Sequence, residues 1–403
     1  MKILIIAPYY APSSEVPSVR MISLSSYLVK NNHNVTVLCW SKEKLLTLYK
    51  ENELSSSVPD GVKVIEFNSK NKRLPFMDDL RFGKELKKLL PQIISKESYD
   101  IVFATCGPYF SLEAMPQLNK KYNIPYVLDF RDLGVLNYRP KLGTESNKKK
   151  VSFWKKLPLN WYNKKISERE RKAVEGANGI IFVSQIDKEK MQKEYKIEEK
   201  RCVIASNGFD DVKLSTVIPK KKQKGIVGAV FGKFMYYSKN RATAILKGID
   251  LQRKKGIDIR LMHIGRHFDY IDEAMRANDL DSNVYESCGL KEYSVGMALL
   301  GSADFFVVED TSPDDVGTKI YDYIYWNKPI IAAVPKGIPL AKLVRTFEHG
   351  YVCETEQEIN DAIDEIVRYK YSTLDDALDN KKYSRTFQNY KMEELLKNVT
   401  QRR

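Results

Sequence analysis

Residues 305–335 read FFVVEDTSPDDVGTKIYDYIYWNKPIIAAVP. Two short runs, 305–308 and 330–334, are apolar at every position and are separated by a turn-rich loop and about two turns of helix. A strand without polar alternation is covered on both faces, and two such strands bridged by a helix pair in parallel with a right-handed crossover. The pattern commits this part of the chain to an α/β sheet. Gly317, Thr318 and Lys319 open the helix, Asp322 lies one turn inside it, and Lys328-Pro329 closes it. Free backbone N–H groups, the positive end of the helix dipole and an ammonium group suit a diphosphate. A carboxylate three residues on, on the same face, suits paired sugar hydroxyls. The stretch therefore reads as a nucleotide grip; the competing reading is a solvated helix start.

The same alternation runs through the chain. Residues 1–7 (MKILIIA) form an apolar strand, 18–30 an amphipathic helix, and 35–40, 62–67, 101–104, 124–130, 179–184 and 202–205 further strands, with a helix at 82–95. After a polar, basic segment the pattern restarts with strands at 226–231, 259–264 and 284–286, helices at 242–254 and 293–300, and acidic helices after 356. At 403 residues, more than one core is expected. The expected fold is α/β: two Rossmann-like parallel-sheet domains facing across a cleft, with ligands at the carboxyl ends of the strands. The expected divisions are an N-terminal domain over 1–211, a linker over 212–225 and a nucleotide-sugar domain over 226–380. A C-terminal helix over 381–403 is expected to return to the first domain.

Five cysteines, at 39, 106, 202, 288 and 353, are scattered without a C-x-x-C pair, which points to reduced structural thiols and a cytoplasmic setting. The apolar run 3–7 is too short for a signal-peptide core, and no run approaches a membrane span, so the expectation is neither export nor insertion. His263 and His267 are four apart without a third ligand nearby, and no metal site is expected. The net charge is +14. Much of it falls in 147–165, which holds seven lysines, no acids and two tryptophans. This reads as a docking surface for an anionic membrane, on the inner face of the plasma membrane. The bland alternative is a solvated loop entering a helix at Pro158. Nucleic acid is not expected, because no recognition motif follows the patch.

Five segments together resemble the nucleotide-sugar glycosyltransferases of the GT-B fold, in glycosyltransferase family 4, and its bacterial surface-polysaccharide branch. They are KILIIAPYYAP with VPSVRMISLSSYLVKNNHNVTVLC, then YVLDFRDL at 126–133, ANGIIFVS with SNGFD, LMHIG at 261–265, and the opening stretch. The resemblance implies retention of anomeric configuration, no metal or other cofactor, a nucleotide diphosphate sugar as donor, and a lipid-linked saccharide as acceptor. It also implies two carboxylates with seven residues between them on the donor side. Here they are Asp314 and Asp322, aspartates where many members carry glutamates. Asp322 would hold the ribose, and Asp314 either faces the sugar or is a turn aspartate.

Lys319 is assigned to the donor diphosphate, with Gly317 and Thr318 as further donors. A second basic contact is expected after the strand at 226–231, from Lys233 or else Arg241, and Gly265 closes a donor-side strand. On the acceptor side stand Arg20, Thr105, Asp129 and Arg131. The last two either face the cleft or form a structural Arg131–Asp pair, and Arg20 binds phosphate or acceptor or is a surface arginine. Asp132 is the candidate general base, although in such enzymes the leaving phosphate itself takes the proton. The rival class is a catalytically inactive GT-B scaffold serving as a binding or chaperone subunit, and a third is a sugar-nucleotide epimerase of the same fold.

Overall fold

The structure is a computed structural model that describes all residues except 47–55, 68–74, 107–108, 134–135, 137–152, 223, 314–315, 370–379 and 403; at 75–81, 109–110 and 153–163 it describes backbone alone. The chain divides into two compact units, one of 1–206 with 388–403 and the other of 207–387.

The first unit is built on a seven-stranded sheet: β1 Lys2–Ile6, β2 Asn34–Trp40, β3 Lys63–Phe67, β4 Ile101–Cys106, β5 Tyr126–Phe130, β6 Gly179–Phe182 and β7 Cys202–Ile204. The spatial order is β3-β2-β1-β4-β5-β6-β7 and all pairs are parallel. Side chains of a strand point alternately to the two faces. Leu4 and Ile6 of β1 accordingly enter one core, and Ile3 and Ile5 the other. This is why the opening run has no polar position between Ile3 and Ala7. The helix Val16–Lys30 covers the second face through Met21, Leu24 and Leu28. The C-terminal helix Arg385–Gln401 adds Met392, Leu395, Leu396 and Val399 to that same core.

The second unit repeats the plan with β8 Ile226–Phe231, β9 Ile259–Ile264, β10 Tyr285–Ser287, β11 Phe305–Glu309, β12 Ile330–Ala333 and β13 Gly350–Cys353. Its order is β10-β9-β8-β11-β12-β13, again all parallel. Phe306 and Val308 face one core, Phe305 and Val307 the other. The division between units lies at 206/207, ahead of the linker expected at 212–225. Phe209 and Leu214 explain the difference: both are buried in the second unit's core, so that part of the connection is core packing. The edge strand β13 was not foreseen. Its Gly-Tyr-Val-Cys sequence is short and only partly buried.

One buried ion pair ties the first unit together. Asp129 sits on β5 with the parity of Val127, so it points into the core beneath the helix carrying Arg20. Arg20 Nε and Nη2 donate to the two carboxylate oxygens at 3.0 and 2.8 Å, and neither residue is more than 5% exposed. Two further guanidinium hydrogens go to the carbonyls of Ala205 and Ser206, both at 2.9 Å. Arg20 and Asp129, both expected on the acceptor side, are paired with each other, as a buried charge needs a partner. The structural pair foreseen was between Arg131 and an aspartate; Asp129 pairs with Arg20.

Among the described residues no helix is long and apolar enough to cross a membrane. The five cysteines are free. Asp129→Ala, which strands a buried guanidinium, is expected to cost about 3–5 kcal/mol in urea unfolding. A paired Arg20→Met, Asp129→Leu change should recover most of that loss, and a single-variant cost under about 1 kcal/mol would show the pair to be idle.

Candidate functional site

In the second sheet the chain leaves β8 towards β9 on one side and later returns to β11 on the other. The loops that follow β8 and β11 therefore diverge at their carboxyl ends, and such switch points are where open α/β sheets bind ligands. Gly232 and Lys233 follow β8. Glu309 ends β11, and Gly317, Thr318 and Lys319 lead into the helix Lys319–Trp326.

Two glycines let these segments close on one another. Gly232 has φ of 87°, a left-handed conformation that suits glycine, and a Cβ there would lie 2.5 Å from both Cε and Nζ of Lys319. The lysine thus lies across bare backbone. A Cβ on Gly265 would fall 2.0 Å from the carbonyl oxygen of Gly232. The Gly265 position expected to touch the donor therefore serves close packing between the ends of β8 and β9. Behind the loop, fully buried His263 places Nε2 2.7 Å from the Gly232 carbonyl and Nδ1 2.7 Å from the Tyr285 hydroxyl. A carbonyl only accepts, so Nε2 carries the hydrogen, and burial lowers the pKa of the ring.

Burial also brings the Lys319 ammonium down to about 8, the charge of Lys233 pushing the same way and Glu309 and Asp310 pushing against. Lys233 is exposed, with Nζ 4.1 Å from the Tyr236 ring centroid. Of the two basic candidates it is the one whose charge acts on Lys319. Arg241 sits in the first turn of the helix Lys239–Lys254, its amide held by Ser238 Oγ at 3.4 Å, and its Nε is buried without a partner among the described residues.

Asp322 is buried on the same helix, where one oxygen accepts from the Tyr293 hydroxyl at 2.8 Å. Burial raises this carboxyl to about 6, against the Tyr293 bond and the charge of Arg385, with Asp210 adding to the rise. Arg385 and Asp210 pair at 2.8 Å. In the sequence reading Asp210 was only the end of SNGFD and Tyr293 only the start of a helix, and Arg385 was not singled out. Glu309 was passed over as a strand end, although a charge closing an apolar run was the available signal. Asp314 lies outside the described residues. Gly317 has φ of 69°, the left-handed region again.

In the first unit Thr105 is 5% exposed at the end of β4, in register with Asp129. Arg131 is half-buried and Asp132 exposed beyond β5. The structure therefore brings Lys233, Gly317, Thr318, Lys319 and Asp322 to one edge of the second sheet, and leaves Thr105, Arg131 and Asp132 at the corresponding edge of the first. Of the basic stretch 147–165, residues 147–152 lie outside the described residues. The helix Phe153–Gly176 begins ahead of the start expected at Pro158. Among the described residues no group of three or more His, Cys, Asp or Glu side chains is arranged to hold a metal ion.

An aspartate ordinarily ionises near 3.8, so with Asp322 raised to about 6 the folded chain binds this proton more tightly than the unfolded one. Its contribution to stability is complete below about pH 4 and is lost as pH rises through about 6. Asp322→Asn keeps an acceptor for Tyr293 and should flatten this part of the profile in urea unfolding between about pH 4 and 7. An unchanged slope would mean that the carboxyl stays ionised in the fold.

Residues 18–213 match the family model described as Glycosyltransferase Family 4. No curated protein matches the chain in sequence. A glycosyltransferase from Rickettsia africae is 18% identical, with 100% of this chain and 96% of that one covered and a TM-score of 0.57. HepE from Anabaena, solved in complex with UDP, is 15% identical over 99% of this chain and 100% of its own, with a TM-score of 0.61. The UDP-GlcNAc 2-epimerase from Neisseria meningitidis, bound to UDP-GlcNAc, is 12% identical over 99% and 100%, also at 0.61. At these identities the likeness speaks of the fold alone, which transferases and epimerases share. The family 4 match is thus confined to residues 18–213, while the two-sheet GT-B fold is shared with these proteins from end to end.

Proposed function

We propose that the protein is a retaining, metal-independent glycosyltransferase of surface-polysaccharide biosynthesis. It moves a hexosyl or N-acetylhexosaminyl group from a nucleotide diphosphate sugar to a hydroxyl of a lipid-linked saccharide. The observation that carries the reading is the Lys319 ammonium, held against the bare backbone of Gly232 at the switch point of the second sheet. A half-buried ammonium at the N-terminus of a helix is doubly unfavourable, by desolvation and by the helix dipole, until an anion joins it.

In this mechanism Lys319 and Lys233 neutralise the donor diphosphate, and the Gly317 amide and Thr318 hydroxyl donate to the same oxygens. Asp322 accepts from the ribose hydroxyls and Asp314 from the transferred sugar. The bond between the anomeric carbon and the phosphate oxygen breaks, and the acceptor oxygen bonds to that carbon on the same face. The acceptor proton passes to the departing phosphate; where a protein base assists, it is Asp132. Arg131 and Thr105 lie on the acceptor side.

Docking on an anionic membrane through 147–165 would bring a lipid-linked acceptor within reach. Support comes from the far end of the same helix. Lys165, Arg169 and Lys172 join Lys87, Lys120 and Lys121 around a cavity of about 380 Å³, with only Glu113 and Glu168 opposing them. A second reading, an inactive scaffold acting as a binding or chaperone subunit, draws on Asp322, whose short side chain is buried against Tyr293.

A thermal-shift panel of UDP, GDP and ADP with their sugars tests the first reading, since a ligand stabilises with the logarithm of its concentration over Kd. One nucleotide family should raise Tm, and Lys319→Ala should weaken that binding and turnover by about ten- to hundredfold, the loss of one charge-assisted bond. Near-wild-type affinity in the variant would remove Lys319 from the site. No shift with any nucleotide would leave the scaffold reading.

A further inference from the structure

Glu309 closes β11 at the switch point and is 4% exposed. Neither the motif nor the mechanism above uses it. Its Oε1 accepts from the Tyr236 amide at 2.9 Å, and the amides of Met235 and Tyr237 turn towards the same carboxyl. These amides belong to the loop that begins at Gly232 and carries Lys233. Met235 has φ of 61°, a left-handed conformation that a side-chain-bearing residue holds only when its surroundings impose it. The carboxyl of Glu309 is what the loop folds around.

The other oxygen, Oε2, is buried with no hydrogen-bond partner among the described residues. A carboxylate left half-satisfied in the interior needs a compensating charge. The cation that acts on it is Lys319, close enough for each to feel the other but without an ion-pair contact. The remaining groups do not replace it. Lys233 opposes the charge on Lys319, Asp310 supports it, and neutral His263 lies on the far side of Gly232. The Tyr270 hydroxyl, which feels Glu309, is itself buried without a hydrogen-bond partner.

We propose that Glu309 is a positioning residue of the donor site: it anchors the 232–237 loop through the loop's amides, and its carboxylate is the counter-charge that supports the half-buried Lys319 ammonium. The assignment rests on Lys319 being the phosphate-binding lysine. Burial pushes the Glu309 carboxyl up to about 7 while Lys319 falls to about 8, so around neutral pH each charge depends on the other.

The test is the reactivity of the Lys319 amine towards acetic anhydride, read by mass spectrometry from about pH 6 to 10. Only the neutral amine reacts, so labelling rises through its pKa. Glu309→Gln keeps the size and the acceptor for Tyr236 but removes the charge, and should move the labelling midpoint down by about one pH unit. Glu309→Asp, which keeps the charge, should leave it near the wild-type position. A midpoint unmoved by Glu309→Gln overturns the proposal. A stability cycle provides a second readout. Lys319→Met should extend the loss of stability that Glu309 causes from about pH 4.5 upward to beyond about pH 7, where the wild-type loss ends, and Glu309→Gln in that background should abolish the loss; additive effects would also overturn the proposal. Neither readout contains a nucleotide. Failure of every nucleotide to bind would overturn the donor reading while leaving the Glu309–Lys319 coupling to be judged on these two measurements.

Discussion

The candidate site depends on one constraint: β8 pairs in parallel with β9 on one side and β11 on the other. A parallel neighbour cannot be reached by a tight turn, so each crossover travels over a face of the sheet and the chain must change direction somewhere. In this unit the change falls between β8 and β11. Two loops that would otherwise fold over the strand ends are drawn apart there, and the gap is lined by whatever the strand ends supply. Gly232, Glu309 and Lys319 are grouped by topology first and by chemistry second. The tight approach of Gly265 to the Gly232 carbonyl then fixes how the β8 loop leaves the sheet.

Placing an ammonium there works against the stability of the ligand-free chain. Desolvation disfavours the charge, the neighbouring Lys233 repels it, and the helix end that Lys319 opens is positive. What holds it is a pair of carboxylates, Glu309 and Asp310, and a glycine small enough for the chain to lie flat against backbone. A structural lysine gains nothing from this arrangement, since snorkelling to water is available to so long a side chain. The energetic sense lies in an anion that completes the site. Asp129 and Arg20 illustrate the opposite case, for there every charge is answered within the fold and nothing is left for a ligand.

The sheets were legible because strands covered on both faces leave an unmistakable pattern, as in MKILIIA and FFVV. The lysine-bearing helix was legible because Gly-Thr-Lys opens it and Lys-Pro closes it between two apolar strands. Asp129 was misread. Its parity on β5 follows from the sequence, but its partner Arg20 is 109 residues away, and only the packed helix shows that the two meet. Glu309 and Gly232 were overlooked in their real roles for a related reason. Their importance comes from what lies across the switch point, and no local spacing records that. The strand β13 was hidden by its length and partial exposure, which leave neither an apolar run nor a clean alternation.

Three acidic and basic groups of the candidate site stand at different heights: Asp322 at about 6, Glu309 at about 7 and Lys319 at about 8. Burial drives all three, raising the acids and lowering the base, so the values converge on neutrality from both sides. Below the lowest of them Lys319 is charged and the two acids are neutral, and the site attracts anions. Above the highest it carries two carboxylates and a neutral amine, and repels them. Between these limits a bound diphosphate would stabilise the lysine proton and disfavour ionisation of Glu309, because each added negative charge opposes the next. Protons and an anionic ligand are therefore linked at this edge of the sheet: binding one strengthens the hold on the other. The linkage arises because one half-buried lysine is asked to serve both a carboxylate of its own chain and a phosphate from outside.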